Sequence, residues 1–128
     1  ISEEGIRRCP LNREILRERS KRFAILVVKL FRSLPRSDEA RIIGKQLLRS
    51  ATSVAANYRA AGRSRSRAEF ISKIGIVVEE ADETVFWLEL LIETDVVKRM
   101  NIETLLCEAN ELLAIFAASQ RTAKANRN

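Results

Sequence analysis

The 128-residue chain contains no histidine, only two cysteines, two prolines and four glycines, and no long hydrophobic run. Without histidine the Glu-x-x-His metal motif and the commonest general base are excluded, and no phosphate-binding or nucleophile motif is present. Cys9 and Cys107 lie far apart without metal-ligand spacing, which favours a reducing compartment. The longest apolar stretches are too short to span a bilayer, and the N-terminus lacks a signal-peptide pattern. We therefore expect no catalytic residue, metal, cofactor or membrane contact, and a cytoplasmic location.

What the chain does contain is a high proportion of helix-forming residues, which predicts an all-α protein of one domain. Helix 1 is predicted over about 12–34, with Phe23, Leu26, Val27, Leu30 and Leu34 on one stripe ending before Pro35. Short connections between four long helices predict an antiparallel up-down-up-down four-helix bundle over 23–118. Residues 1–22 would form an extension, continuous with or preceding helix 1, and 119–128 a polar, disordered tail.

Capping residues mark the remaining helix ends. Ser37 is the predicted N-cap of helix 2, and Gly62 after Ala61 is expected to adopt the left-handed conformation at its end. Ser66 and Glu69 match a capping box that opens helix 3. Asn101 is the predicted cap of helix 4.

Helices 2 and 3 each carry a second apolar or small-residue face, which a monomeric bundle would leave in water. Such faces predict self-association, although exposed apolar residues at the edge of a core are also ordinary. The predicted interface residues are Ile42, Ser53 and Asn57 on helix 2 and Ile76, Trp87 and Leu90 on helix 3.

Charge is distributed unevenly along the chain, whose net charge is +6. Residues 74–111 hold ten carboxylates and two cations, whereas the segments before and after them are basic. Either basic helices neutralise the acidic one, or a surplus basic surface meets nucleic acid. The antiparallel register places Arg49 within reach of Glu80 and Glu83, which predicts a structural ion pair that sets the alignment of helices 2 and 3.

The loop between helices 2 and 3 concentrates arginines beside a helix N-terminus, where a phosphate is favoured. It predicts contact with RNA or DNA, or else forms a solvated loop. Because aromatic residues are not interleaved, binding would be directed to the backbone. The predicted nucleic-acid-binding residues are Arg59, Arg63, Arg65, Arg67 and Lys73.

Several spaced blocks, including residues 46–61, 66–77 and 79–91, resemble a bacterial four-helix-bundle family of the 23S rRNA-intervening-sequence protein type. The resemblance covers about 23–118, and residues 1–22 have no obvious counterpart in it. It implies assembly into rings, with a homopentamer as the best guess. Related bundle proteins are accessory factors of retroelements, which implies a reverse transcriptase or another protein as a partner.

These observations predict a non-enzymatic, homo-oligomeric accessory protein that binds the backbone of RNA or DNA. The alternative is a protein-interaction scaffold that does not bind nucleic acid.

Overall fold

A computed structural model describes the backbone of residues 2–126 and the side chains of residues 13–126. Four long helices are joined by connections of four or five residues, and no strand occurs in this part of the chain. The helices are α1 (Ser2–Ser33), α2 (Asp38–Ala61), α3 (Arg67–Glu93) and α4 (Arg99–Ala125). Each packs against its neighbour in sequence, and α1 also contacts α4, so the predicted all-α four-helix bundle is confirmed.

The predicted caps of α2 and α3 are confirmed, because Ser37 and Ser66 each accept a hydrogen bond from a backbone N–H three residues later. Two other predictions are wrong. Gly62 is right-handed, with φ −66°, because its N–H continues the helical bonding to Tyr58. Helix α4 begins at Arg99, before Asn101, whose N–H bonds the carbonyl of residue 98 within the first turn.

The core occupies the centre of the bundle and is formed by apolar residues from all four helices. Its fully buried members include Val27, Leu47, Ile74, Leu88 and Phe116. Leu26 shares the predicted apolar stripe of helix 1 but lies outside this core, since its side chain is 44% exposed. One residue corresponds to about 100° of helical rotation, so the burial of neighbouring Val27 turns Leu26 towards the surface.

The predicted boundaries of the bundle need correction at both ends. Leu16 and Ser20 are buried, so α1 joins the bundle before residue 23. Helix α4 continues to Ala125, so most of the predicted disordered tail is helical. The outer part of the predicted extension, over 1–12, lies outside the described side chains, as does the end of the tail at 127–128.

No described helix combines the length and the hydropathy that a membrane-spanning segment requires.

Candidate nucleic-acid interface and assembly surfaces

The tip of the α2–α3 hairpin brings the predicted phosphate-binding residues together. Arg59 lies in the last turn of α2, Arg63 and Arg65 lie in the connection, and Arg67 begins α3. These four side chains are exposed, whereas Lys73, two turns into α3, is half-buried. Within the described structure none of the five forms an ion pair, so their charges are available to an external anion.

The N-terminus of α3 is already capped by the chain itself. Ser66 accepts a hydrogen bond from the Glu69 N–H at 3.1 Å, and Glu69 accepts one from the Arg65 N–H at 2.7 Å. This arrangement is a variant of the capping box in which Glu69 accepts from the residue before the N-cap, and it satisfies two of the N–H groups that could have bound a phosphate. Attraction of an anion to the tip therefore depends on the arginine side chains more than on free backbone groups.

A cavity of about 710 Å³ lies beside this tip, where the end of α2, the start of α3 and the last turns of α4 meet the interior of α1. Arg13, Arg65, Arg67 and Phe70 are among its lining residues. The Arg13 guanidinium lies 5.1 Å from the centroid of the Phe70 ring, a cation–π contact. Sequence reasoning missed Arg13, because its position at the tip depends on how α1 packs, and no local motif marks it. The cavity extends the basic character of the tip onto α1.

A polar network on one side of the bundle joins α2 to α3 through Arg49. Arg49 donates to Glu80 at 3.3 Å and to Glu83 at 2.5 Å, and the Trp87 indole N–H donates to Glu83 at 3.0 Å. The indole hydrogen bond, together with that from Arg49, lowers the pKa of the Glu83 carboxyl. Carboxylates of Glu83 and Glu80 in turn raise the pKa of Arg49. The network links the two helices at this height of the bundle.

The stabilising effect of Glu83 is expected to disappear in acid. Because its folded pKa lies below the unfolded value of about 4.3, ionised Glu83 stabilises the fold above that pH and loses this effect as pH falls through the folded pKa. The free energy of unfolding of wild type should therefore exceed that of Glu83→Gln at pH 7, and this gap should narrow towards pH 3. Urea denaturation at pH 7, 5, 4 and 3 measures the gap.

The matched control for this experiment is Glu103→Gln, which removes an exposed carboxylate with no ion pair in the described structure. We expect this variant to differ little from wild type at every pH. A gap for Glu83→Gln that stays constant from pH 7 to pH 3 would contradict the prediction.

The six predicted interface residues differ in exposure. Ile42 is 64% exposed and Ile76 is 40% exposed, whereas the other four are half-buried. The amide of Asn57 donates to both the hydroxyl and the carbonyl of Ser53, so the polar groups of this pair are partly satisfied within α2. Phe86, next to Trp87, is the more exposed aromatic residue of the two. The exposed large apolar side chains of α2 and α3 are therefore those of Ile42, Ile76 and Phe86.

Two inter-helix contacts were missed by sequence reasoning. Arg19 of α1 donates to both carboxylate oxygens of Glu108 on α4, at 3.0 and 2.7 Å, and also bonds Glu111. The hydroxyls of Ser50 and Thr84 lie 2.9 Å apart in the interior between α2 and α3. No local motif marks either contact, although small polar residues within an apolar helical stripe are a weak signal of such a pair.

The fold and these surfaces define a basic four-helix-bundle protein with an uncompensated cationic tip and exposed apolar residues on several helices. The chain belongs to the 23S rRNA-intervening sequence protein family, whose model matches residues 14–118. This match confirms the resemblance and corrects its start, because residues 14–22 do have a counterpart in the family.

A solved structure from Bacteroides thetaiotaomicron is similar to this chain. That protein, of unknown function, is a member of the S23 ribosomal protein family. It shares 35% sequence identity, covers 85% of this chain and 97% of its own, and superposes with a TM-score of 0.79. No curated protein matches the chain.

Proposed function

We propose that the protein is a non-enzymatic, homo-oligomeric accessory protein that binds the sugar–phosphate backbone of RNA or DNA. The observation that carries this proposal is the set of arginines without ion pairs at the α2–α3 tip, together with Arg13 beside them. Clustered cations without carboxylate partners attract phosphate and exchange it for released counterions. The name of the family supports a link to ribosomal RNA genes, and the chemistry of the tip fits a polyanion.

The tip fits the backbone better than the bases. Its cations end in exposed guanidinium groups, whose planar array of donors matches phosphate oxygens. Phe70, the aromatic residue in the cavity lining, is half-buried and already has Arg13 over its ring. Its accessible face is thus reduced, and stacking of successive bases is not needed for binding. The expected binding is therefore tolerant of sequence and sensitive to salt.

Assembly is the second part of the proposal. One tip offers few phosphate contacts, and a weak site gains apparent affinity when several copies of it are held together. Exposed apolar residues on α1, α2 and α3 supply surface that a second copy could bury. The homopentamer implied by the resemblance stays a prediction about the number of copies.

The proposal is tested by binding of labelled structured RNA, single-stranded DNA and duplex DNA across a salt series, with the oligomeric mass measured in the same buffer. We expect dissociation constants in the micromolar range or tighter near physiological salt, rising steeply as salt increases. Equal affinity for unrelated sequences is also expected, because backbone contacts carry no sequence information.

Absence of binding to all three nucleic acids, even at low salt, would overturn the nucleic-acid part of the proposal. The protein-interaction scaffold would then become the better description, and a partner would be expected to remain bound after nuclease treatment.

A further inference from the structure

Helix α1 carries an exposed basic stripe, formed by Arg22, Leu26 and Lys29 at i, i+4 and i+7. All three residues line a groove of about 690 Å³ between α1 and α4, with Phe23 and Ile102 among the apolar residues at its base. The groove is open because α1 and α4 contact each other less than any other packed pair of helices. Neither cation of this basic stripe has an ion pair in the described structure.

Helix α3 carries an exposed acidic stripe with the same spacing, formed by Asp82, Phe86 and Glu89 and extended by Glu79 and Glu93. The Phe86 side chain is 51% exposed at the centre of this stripe. Residues 74–93 contain no lysine or arginine, and like charges three or four residues apart destabilise a helix. None of the four carboxylates has an ion pair within the described chain.

We propose that the acidic stripe of one copy docks on the basic stripe of a second copy. Phe86 enters the α1–α4 groove beside Leu26, and the flanking carboxylates pair with Arg22 and Lys29. The contact buries apolar residues that the single bundle leaves exposed and compensates charge on both stripes. This inference rests on the assembly part of the proposed function and identifies the surfaces that carry it.

The directions of the two helices allow the stripes to match residue by residue. In an up-down-up-down bundle α1 and α3 run the same way, so copies arranged with parallel axes present α3 of one copy parallel to α1 of the next. In this arrangement Asp82 meets Arg22, and Glu89 meets Lys29. The two charged residues of each stripe lie seven positions, or about 10.5 Å, apart along their helix. Because this spacing is the same in both stripes, the two ion pairs can form together.

The two stripes also lie at a similar height along the bundle. A Cβ atom added to Gly44 of α2 would lie 3.1 Å from a ring carbon of Phe31 on α1. Ser50 lies six residues after Gly44, so it is level with about residue 25 of α1, which runs antiparallel to α2. The hydroxyl of Ser50 also hydrogen-bonds that of Thr84 on α3. Leu26 is thus within about one helical turn of the height of Phe86. Copies can pair without a large shift along the bundle axis.

The placement of the stripes favours a closed ring. A Cβ atom added to Gly75 of α3 would lie 3.2 Å from Gln120 of α4, and Asp82 and Glu89 follow Gly75 at intervals of seven on the same side of the helix. Both stripes therefore flank α4. The directions in which they face differ by less than half a turn around the bundle axis. A heterologous contact with such a rotation closes into a ring of few copies and places every α2–α3 tip at one end. A two-fold contact of either stripe with itself would bring like charges together.

Light scattering and native mass spectrometry of charge-reversal variants test this inference. Arg22→Glu with Lys29→Glu, and separately Asp82→Lys with Glu89→Lys, should each convert the oligomer to protomers at micromolar concentration. The variant with all four substitutions should recover the oligomer, which also shows that reversal leaves the fold intact. Arg36→Glu with Arg41→Glu lowers the charge by the same amount as the α1 reversal, and should keep the wild-type mass.

The possible outcomes distinguish failure of this inference from failure of the proposed function. A monomeric wild type overturns this inference and the assembly part of the proposed function together, without bearing on nucleic-acid binding. An oligomeric wild type that neither reversal dissociates overturns this inference alone. Failure of the fourfold variant to reassemble also overturns it, because the two stripes would not then face each other. Loss of assembly only in Ile42→Glu with Ile76→Glu would instead assign the contact to the interface residues of α2 and α3 that the sequence predicts.

Discussion

Replacing Phe116 with alanine is expected to lower the free energy of unfolding by about 3–5 kcal/mol. The ring is fully buried, and its centroid lies 5.0 Å from that of Tyr58. Truncation removes the transfer free energy of the ring and leaves a cavity that α4 cannot close without moving. Because domains are stable by only about 5–15 kcal/mol, such a loss is a large fraction of the total. Urea denaturation followed by circular dichroism measures it.

Phe116→Leu is the matched control, because it keeps most of the apolar volume and should cost less than half as much as alanine. Both variants and wild type are compared at one protein concentration, since assembly adds a concentration-dependent contribution to stability. A loss below about 1 kcal/mol for the alanine variant would mean that the α2–α4 packing relaxes around the missing ring, and would contradict the tightly packed core described here.

The architecture was predictable because it depends on local and periodic signals. Pro35 separates the first two helices, and the capping pair Ser66 and Glu69 opens α3. The stripe that contains Ile74 and Leu88 identifies the core-facing side of α3, and both residues are fully buried. Each of these signals lies within one helix or one connection, so it survives without knowledge of the packing.

Two of the differences between prediction and structure, at Leu26 and in the tail, have separate physical causes. Leu26 satisfies the spacing of an apolar stripe, but a helix surface is wider than its contact with the core, so an edge position can face either side. The polar sequence after Ala118 indicated a tail, yet α4 continues to Ala125, because arginine, lysine and alanine favour helix when an anchored helix already exists.

The candidate site was predictable only in part. Arg63, Arg65 and Arg67 alternate with serines within five residues, so their cluster at the tip follows from the hairpin. Arg13 and Arg19 join α1 to distant helices, and the height at which α1 packs decides their partners. The helical period predicts which face of its helix a residue occupies. It does not predict which residue of a neighbouring helix lies at the same height, so these contacts required the structure.

The triple variant Arg63→Ala, Arg65→Ala, Arg67→Ala is expected to bind every nucleic acid roughly 10- to 100-fold more weakly near physiological salt. Each lost phosphate contact should also reduce the slope of log affinity against log salt by about 0.7–0.9, giving a total reduction of about 2 to 3. The loss should be uniform across sequences, because these side chains are proposed to contact phosphate. Titration of labelled RNA and DNA at several salt concentrations measures both quantities.

The sharpest control is a second triple variant, Arg36→Ala, Arg41→Ala, Lys45→Ala. These exposed cations also lack ion pairs in the described structure, and they lie at the opposite end of α2, about 25 Å or more from the tip. Both triple variants lower the net charge of the chain by three, so long-range attraction falls equally in the two. A difference between them isolates direct contact at the tip, whereas equal losses would show that the affinity comes from overall charge and that the tip is not the binding site.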